Sequence, residues 1–305
     1  MRSFDELLVE VGQRAERVRA YLLDEIGVDG FKTDGGEHLW GASTLFADGR
    51  DGSELWNEYP QKYAEAYYNF ATQKKNGDAL TFSRAGFIGS QRAPAHWAGD
   101  ENSTWEAFRS SILAGLSAGI SGIPFWGWDI GGFSGPLPDD DLFLRSTAMA
   151  AFCPIMQYHS EFNQHKEPHV DRTPWNMQER TGNDQIIDVF RHFVTVRQQL
   201  MPYIWQEAQF SARTGQPMMR AARLIDSNAS DFQYFFGRDM LVSPVVEPNQ
   251  TQWEVYLPSG FWRDLWTGDI YEGGASYVYK TPLNCIPVFV QKDAEIPSIT
   301  TGSSG

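Results

Sequence analysis

The sequence predicts an α/β fold built on a parallel sheet, followed by a small antiparallel β-sandwich. Three observations predict it. Amphipathic helical stretches alternate with short apolar runs over the first 160 residues, the pattern of strand–helix units. Those runs are continuously hydrophobic, as in strands covered on both faces. Near Gly215 the pattern changes to short alternating runs between turn residues, the signature of antiparallel strands.

In chain order, Ser3 to Ile26 reads as a helix. Ser3 and Glu6 form a capping box, Leu8, Val11, Ala15, Val18 and Leu22 make one apolar stripe, and Gly27 ends it. A first strand, Val28 to Thr33, stops at Asp34. A helix from Tyr59 to Lys75 leads to a second strand, Ala79 to Arg84. Pro94 to Trp97 is a third, after which Ser103 and Glu106 cap a helix carrying Trp105, Phe108, Ile112, Leu113 and Leu116. Gly122 to Trp126 is a fourth strand, Leu142 to Ala151 a helix, Cys153 to Tyr158 a fifth strand, and Asp184 to Arg213 a long helix. Beyond it Trp253, Val255 and Leu257 alternate with polar neighbours, Pro258-Ser259-Gly260 and Gly273-Gly274 mark turns, and Pro287 to Val290 is the last apolar strand. These runs place a first domain at residues 1–213 and a second at 214–305.

Composition narrows the function classes. Of 305 residues, 42% are hydrophobic and 21% charged, which excludes disorder, collagen and coiled coil as descriptions of the whole. No run of 18 apolar residues predicts a membrane span, and the N-terminal stretch lacks the apolar core of a signal peptide, so a cytoplasmic location is expected. Cys153 and Cys285 are the only cysteines, too few for a disulfide framework or a cysteine-rich zinc site. The net charge of -14 argues against nucleic acid or an anionic membrane as partner. Asn102, Asn228 and Asn249 begin N-x-S/T triplets, read as chance without a secretory signal. The 11 tryptophans suit either a large core or flat, partly wet ligands such as sugars.

Each strand runs into residues capable of chemistry. The first ends in FKTDGGE with Asp34 and Glu37, the second in FSRAG with Arg84. The third gives HWAGDENSTW with His96, Trp97 and Asp100, the fourth FWGWDIGGF with Trp126, Trp128, Asp129 and Phe133, and the fifth MQYHSE with His159. In a barrel of parallel strands, the C-terminal strand ends form the active site. Retaining glycoside hydrolysis requires two carboxyl groups, one as nucleophile and one as acid/base; indoles stack on sugar faces, and Arg and His donate to hydroxyls. No phosphate loop, serine elbow or HExxH motif occurs, and no metal or organic cofactor is expected. Read singly, Asp34 and Asp100 suit helix caps equally well, Asp129 a turn, His159 a buried core histidine, and Trp97 and Trp126 the core.

The motifs FKTDGGE, RAGFIGSQRAPAHWAGDENSTW, PFWGWDIGGF and PIMQYHSE resemble glycoside hydrolase family 31. In the second domain so do GQPMMRAARL, FGRDMLVSPVVEP and YLPSGFWRDLWTG. The resemblance runs from Gly27 to Pro297. It implies a (β/α)8 TIM barrel, followed by the family's proximal C-terminal β-domain, and an exo-acting retaining α-glucosidase or α-xylosidase acting on oligosaccharides or other α-glycosides. It places Asp34 on the catalytic nucleophile and Asp100 on the general acid/base. Arg84, Trp97, Asp129, Phe133 and His159 fall on positions lining the subsite for the non-reducing sugar, with Trp126 as a stacking neighbour. The FKTD form leans toward the α-xylosidase-like branch, while Gly35, Trp128 and Gln157 depart from many relatives at positions that bear on sugar choice. The same carboxylates would serve a transglycosylase or lyase of the family. A non-catalytic sugar-binding protein would keep the Trp and Arg residues without needing both aspartates.

A full barrel has eight strands, and five are read here. The chain is therefore expected to be the C-terminal portion of a longer enzyme. Alone, it is expected to leave the edge at Val28 to Thr33 unpaired, and to be inactive and poorly soluble.

Overall fold

The computed structural model describes Gln13 and residues 19–46, 48–93, 95–161, 167 and 169–299, in two compact units, Met1–Trp97 and Ala98–Gly305. In the first unit, β1 (Gly30–Thr33), β2 (Leu80–Ser83) and β3 (Ala95–Trp97) are parallel, with β2 pairing on both sides. The register sets Thr33 beside Ser83 and Ser83 beside His96, so the three strands end level. Whatever follows each strand therefore leaves from one edge. The Thr33 and Ser83 hydroxyls, both buried, bond to each other there at 2.7 Å.

Most of the helix expected over Ser3 to Ile26, including its capping box, lies outside the described residues. Its last turn, Leu22–Ile26, is π-helical and ends at Gly27, whose N–H reaches Leu22 O. The connection to β2 carries the expected helix, Glu58–Lys74, and an unexpected single turn, Gly52–Leu55. That turn exists because Asp51 and Glu54 form a reciprocal capping box, at 2.8 and 3.1 Å to the Ser53 and Glu54 amides and 2.9 Å back to the Asp51 amide. Four residues are too few to show a helical apolar period.

In the second unit the helix Trp105–Ile120 starts at Thr104, which accepts from the Ala107 amide at 3.2 Å, and not at Ser103. The Ser103 hydroxyl is instead committed to Arg172, which donates to it at 3.0 Å. β4 is Phe125–Gly127, shorter than expected and immediately after Pro124, which has no N–H to give a ladder. The expected fifth strand, Cys153 to Tyr158, is not a regular strand. It is an extended segment tied at single points, from the Ile155 amide to Trp126 O and by a parallel bridge between Asp129 and Gln157. Pro154 and the turn through Phe152 interrupt any longer pairing. Helix Asp140–Ala150 is capped by Asp139, and helix Ile186–Thr214 ends at Gly215 in the left-handed conformation. Between them lies an unpredicted helix, Pro174–Thr181, capped by Thr173 with proline in its first turn.

The chain ends in the expected antiparallel β-domain. Six strands lie in the order β10-β9-β12-β7-β6-β5: β5 Met219–Ala221, β6 Tyr234–Phe236, β7 Met240–Val242, β9 Phe261–Asp264, β10 Ile270–Glu272 and β12 Val288–Gln291. A ribbon of β8 (Gln252–Leu257) and β11 (Ala275–Lys280) completes it. Val255 and Leu257 from the ribbon pack with Phe235, Leu241, Trp262 and Phe289 from the sheet, a sandwich core. Buried Arg145 fastens helix Asp140–Ala150 to this domain by donating to the carbonyls of Gln250 and Thr281, each at 2.7 Å. Among the described residues no helix is long and apolar enough to cross a membrane, and no group of three or more His, Cys, Asp or Glu is placed to hold a metal.

Candidate active site

The site is assembled from what leaves the strand ends. In the first unit Asp34 directly follows β1 and Arg84 directly follows β2. The chain turns at Gly35 and Gly36, at φ 78° and 92°. Gly36 has a second reason to be glycine: a Cβ there would stand 2.7 Å from the Tyr63 ring. That ring is fixed in turn, since Tyr63 Oη donates to the Asp34 carbonyl at 2.8 Å. Arg84 Nη1 lies 3.0 Å from Asp34 Oδ1, and Arg84 Nη2 donates to Glu37 Oε1. One guanidinium thus bridges two carboxylates that sequence places three residues apart. The Asp34 amide neighbour, Gly35 N–H, also falls on Oδ1 at 2.9 Å. Both contacts approach one oxygen of a carboxylate that is 72% exposed, while the arginine is only 16% exposed. A rigid cation beneath a solvent-facing carboxylate suits a nucleophile. Glu37, left out of the catalytic set on sequence, is Arg84's other partner; the spacing Asp34-x-x-Glu37 holds no signal for that by itself.

Trp97 is buried. Its ring centroid lies 5.0 Å from that of Phe82, and Lys32 Nζ stands 4.4 Å from it, an amine over an indole face.

In the second unit Asp100 is exposed, and with Glu101 it lines a concavity of about 480 Å³ against the first turns of helix Trp105–Ile120. Asp129 is fully buried beyond the end of β4, where Gln157 Nε2 donates to its Oδ1 at 2.8 Å and its own amide donates to Glu101 Oε1 at 3.1 Å. Burial first, then the Asp129 carboxylate, with a smaller push from Asp100, drives the Glu101 carboxyl up to about 8. Glu101 was not singled out on sequence; nothing in a single sequence reports the covered Oε2 and the Asp129 neighbour that distinguish it.

Phe133 and His159, from the ends of the fourth and fifth segments, meet edge to face with centroids 5.2 Å apart. Trp126 is 8% exposed and packed on the backbone of helix Trp105–Ile120 at Gly115. The structure therefore joins Asp34 with Arg84, and Phe133 with His159, and gives Trp97 and Trp126 the core positions that were the alternative reading of each. Arg172, buried, closes the region by donating to Ser103 Oγ and to the Gly135 and Pro136 carbonyls.

Residues 12–207 match the glycosyl hydrolases family 31 TIM-barrel domain, and residues 215–296 match the glycosyl hydrolase family 31 C-terminal domain. A 1,3-alpha-isomaltosidase of Kribbella flavida is 49% identical over 277 residues, 89% of this chain and 38% of that protein. An isomaltosyltransferase of Sporosarcina globispora is 44% identical over 92% of this chain and 26% of its own length. A cycloalternan-degrading enzyme from Trueperella pyogenes, solved with a covalent intermediate, superposes with a TM-score of 0.87 at 46% identity, covering 93% of this chain and 40% of that one. The chain spans between a quarter and two fifths of the length of these relatives.

Proposed function

The chain belongs to glycosyl hydrolase family 31, and from that premise we propose that it carries the catalytic pair of a retaining, exo-acting α-glycoside hydrolase. The observation that carries the proposal is Asp34. It stands at the C-terminal end of a parallel strand, exposed, with Arg84 from the next strand at 3.0 Å. Asp34 attacks the anomeric carbon while Asp100 gives its proton to the glycosidic oxygen. The carbon–oxygen bond to the leaving group breaks and a glycosyl ester forms on Asp34. Asp100 then takes a proton from water, the water oxygen attacks the same carbon, and the sugar leaves with its α-configuration kept as Asp34 is released. Within the first unit Arg84 backs Asp34 and Trp97 packs on Phe82; within the second, Phe133 and His159 meet edge to face as contacts for the non-reducing sugar, with Asp129 and Trp126 buried near them in the chain. The catalytic part occupies residues 1–213 and the β-domain 214–305.

The substrate class we favour is an α-gluco-oligosaccharide with an isomaltosyl unit at its non-reducing end, because relatives above 40% identity are named for isomaltosyl chemistry. A transfer reaction is the second reading, supported by the isomaltosyltransferase at 44% identity. It uses the same two aspartates, with a sugar hydroxyl in place of water. The test is the full-length gene product incubated with aryl α-isomaltoside, α-glucoside and α-xyloside, products being separated by chromatography. Free isomaltose supports hydrolysis; longer oligosaccharides support transfer. Asp34→Ala should lose several orders of magnitude in kcat, on the order of the loss seen when a covalent nucleophile is removed. Wild-type turnover in that variant would sink the assignment.

A further inference from the structure

Glu101 is tied to the loop after β4 by both its side chain and its backbone. Its Oε1 accepts from the Asp129 amide at 3.1 Å. Its carbonyl oxygen accepts from the Phe133 amide at 2.9 Å and the Ser134 amide at 3.0 Å. The loop between those points turns at Gly131 and Gly132. At Gly132 a Cβ would stand 2.7 Å from the Asn102 carbonyl and the Ser103 Cα, so the two segments touch at the backbone. Ser103 N–H returns a bond to Ser134 O at 3.1 Å. On the far side the loop is held by Gln157, through the Ile130 amide to Gln157 O at 3.0 Å, and by the Glu161 amide to Phe133 O at 3.2 Å. The side chain of Glu101 is thus the polar link between Asp100's segment and the buried start of the loop that carries Asp129 and Phe133.

We propose that Glu101 is a positioning residue: its carboxyl accepts from the Asp129 amide and so holds the loop from Asp129 to Phe133, the proposed sugar-binding loop, in register with the segment that presents Asp100. This rests on the reading of Asp34 and Asp100 as the catalytic pair. A neutral carboxyl fits the place, because the half-buried side chain lies beside a second carboxylate, Asp129, and its Oε2, itself covered, has no hydrogen-bond partner among the described residues. An ionised Glu101 would face Asp100 on its own segment and Asp129 on the loop, with Arg172, whose charge is coupled to Asp129, Glu161 and Asp171, as the cation of the region.

The test compares Glu101→Gln with Glu101→Ala in the full-length gene product, on an aryl α-glycoside from pH 5 to about 9, beside thermal unfolding of each variant. Glutamine keeps the acceptor and mimics the protonated acid. It should retain kcat/KM within about threefold near pH 6, and its alkaline limb should extend to higher pH because no charge develops between Asp100 and Asp129. Alanine should lose about tenfold in kcat/KM, chiefly through KM, since the loop it frees binds the sugar. Rescue by glutamine together with the altered alkaline limb is a result that a purely structural carboxyl would not give. The proposal is overturned if alanine keeps wild-type KM, if glutamine is as impaired as alanine, or if the glutamine pH profile superimposes on the wild type. Asp34→Ala serves as the separate control. Activity retained there overturns the catalytic reading and this proposal with it, whereas an inactive Asp34→Ala beside a wild-type Glu101→Ala removes this proposal alone.

Discussion

Gly36→Ala tests whether the Asp34 loop is held by the packing beneath it. At φ 92° any residue with a Cβ sits in the left-handed region, at a cost of about 1–2 kcal/mol. The new methyl would also stand 2.7 Å from Tyr63 Cδ1, well inside contact distance, so the ring must move. Moving it gives up the bond from Tyr63 Oη to the Asp34 carbonyl, worth about 1 kcal/mol. The total is roughly 2–3 kcal/mol, borne by a loop that, on the proposed reading, has to present the attacking carboxylate in a fixed place. We expect a fall in kcat/KM of about 30-fold or more, since 1.4 kcal/mol is a factor of ten. The assay is steady-state hydrolysis of an aryl α-glycoside, beside chemical denaturation. Tyr63→Phe separates the two parts, because it removes the hydrogen bond without the overlap and should lose less than tenfold. A Gly36→Ala enzyme with wild-type kinetics and stability would refute the argument that Tyr63 and the glycine turn fix Asp34.

Glu207, buried on helix Ile186–Thr214, accepts from Arg238 at 2.7 to 3.1 Å and from its amide at 3.0 Å, so Glu207→Ala and Arg238→Met should each destabilise by about 2 kcal/mol in urea. The Glu207→Ala, Arg238→Met double variant should cost less than the sum of the two, and strict additivity would contradict the pairing. Glu101, raised from 4.5 to about 8, binds its proton more tightly folded than unfolded; its contribution is complete below the ordinary value and lost as pH rises to about 8. Glu101→Gln should flatten that part of the stability profile, and an unchanged slope would show the carboxyl is not the cause. Burial pushes the Cys153 and Cys285 thiols up to about 12, so neither should react with iodoacetamide at neutral pH until denaturant is added; rapid labelling of the native protein would contradict the packing around them.

Helix Glu58–Lys74 and helix Ile186–Thr214 were legible within two residues because a long apolar period fixes them. The strands were legible as apolar runs, yet their ends were not. β4 is three residues where five were expected, because Pro124 supplies no donor and pairing begins after it. The fifth strand was lost for a related reason. An apolar run reports a tendency to burial, and of Cys153 to Tyr158 only Cys153 is fully buried; a ladder needs a partner at successive amides, and Pro154 breaks that succession. The cap of helix Trp105–Ile120 moved from Ser103 to Thr104 because Arg172, nearly 70 positions on, takes the serine hydroxyl. No local rule carries that information.

The chemistry divides along the same line. Asp34 and Arg84 stood out because Asp34 follows one apolar run and Arg84 closes the next, where a parallel strand hands over to its loop, and because the family motifs carry both. Tyr63, Glu37 and Glu101 were not, because each acts through something only the fold brings near: a carbonyl 29 positions away, a guanidinium 47 away, an amide 28 away. A sequence thus displays the groups that directly follow an apolar run, and conceals those whose partner lies in a distant segment. Asp34 and Glu101 illustrate the physical reason. A nucleophile, the role proposed for Asp34, has to face its substrate, and Asp34 is 72% exposed at the end of its strand; a link that fixes a loop has to be kept from water, and Glu101 is half-buried with its Oε2 covered.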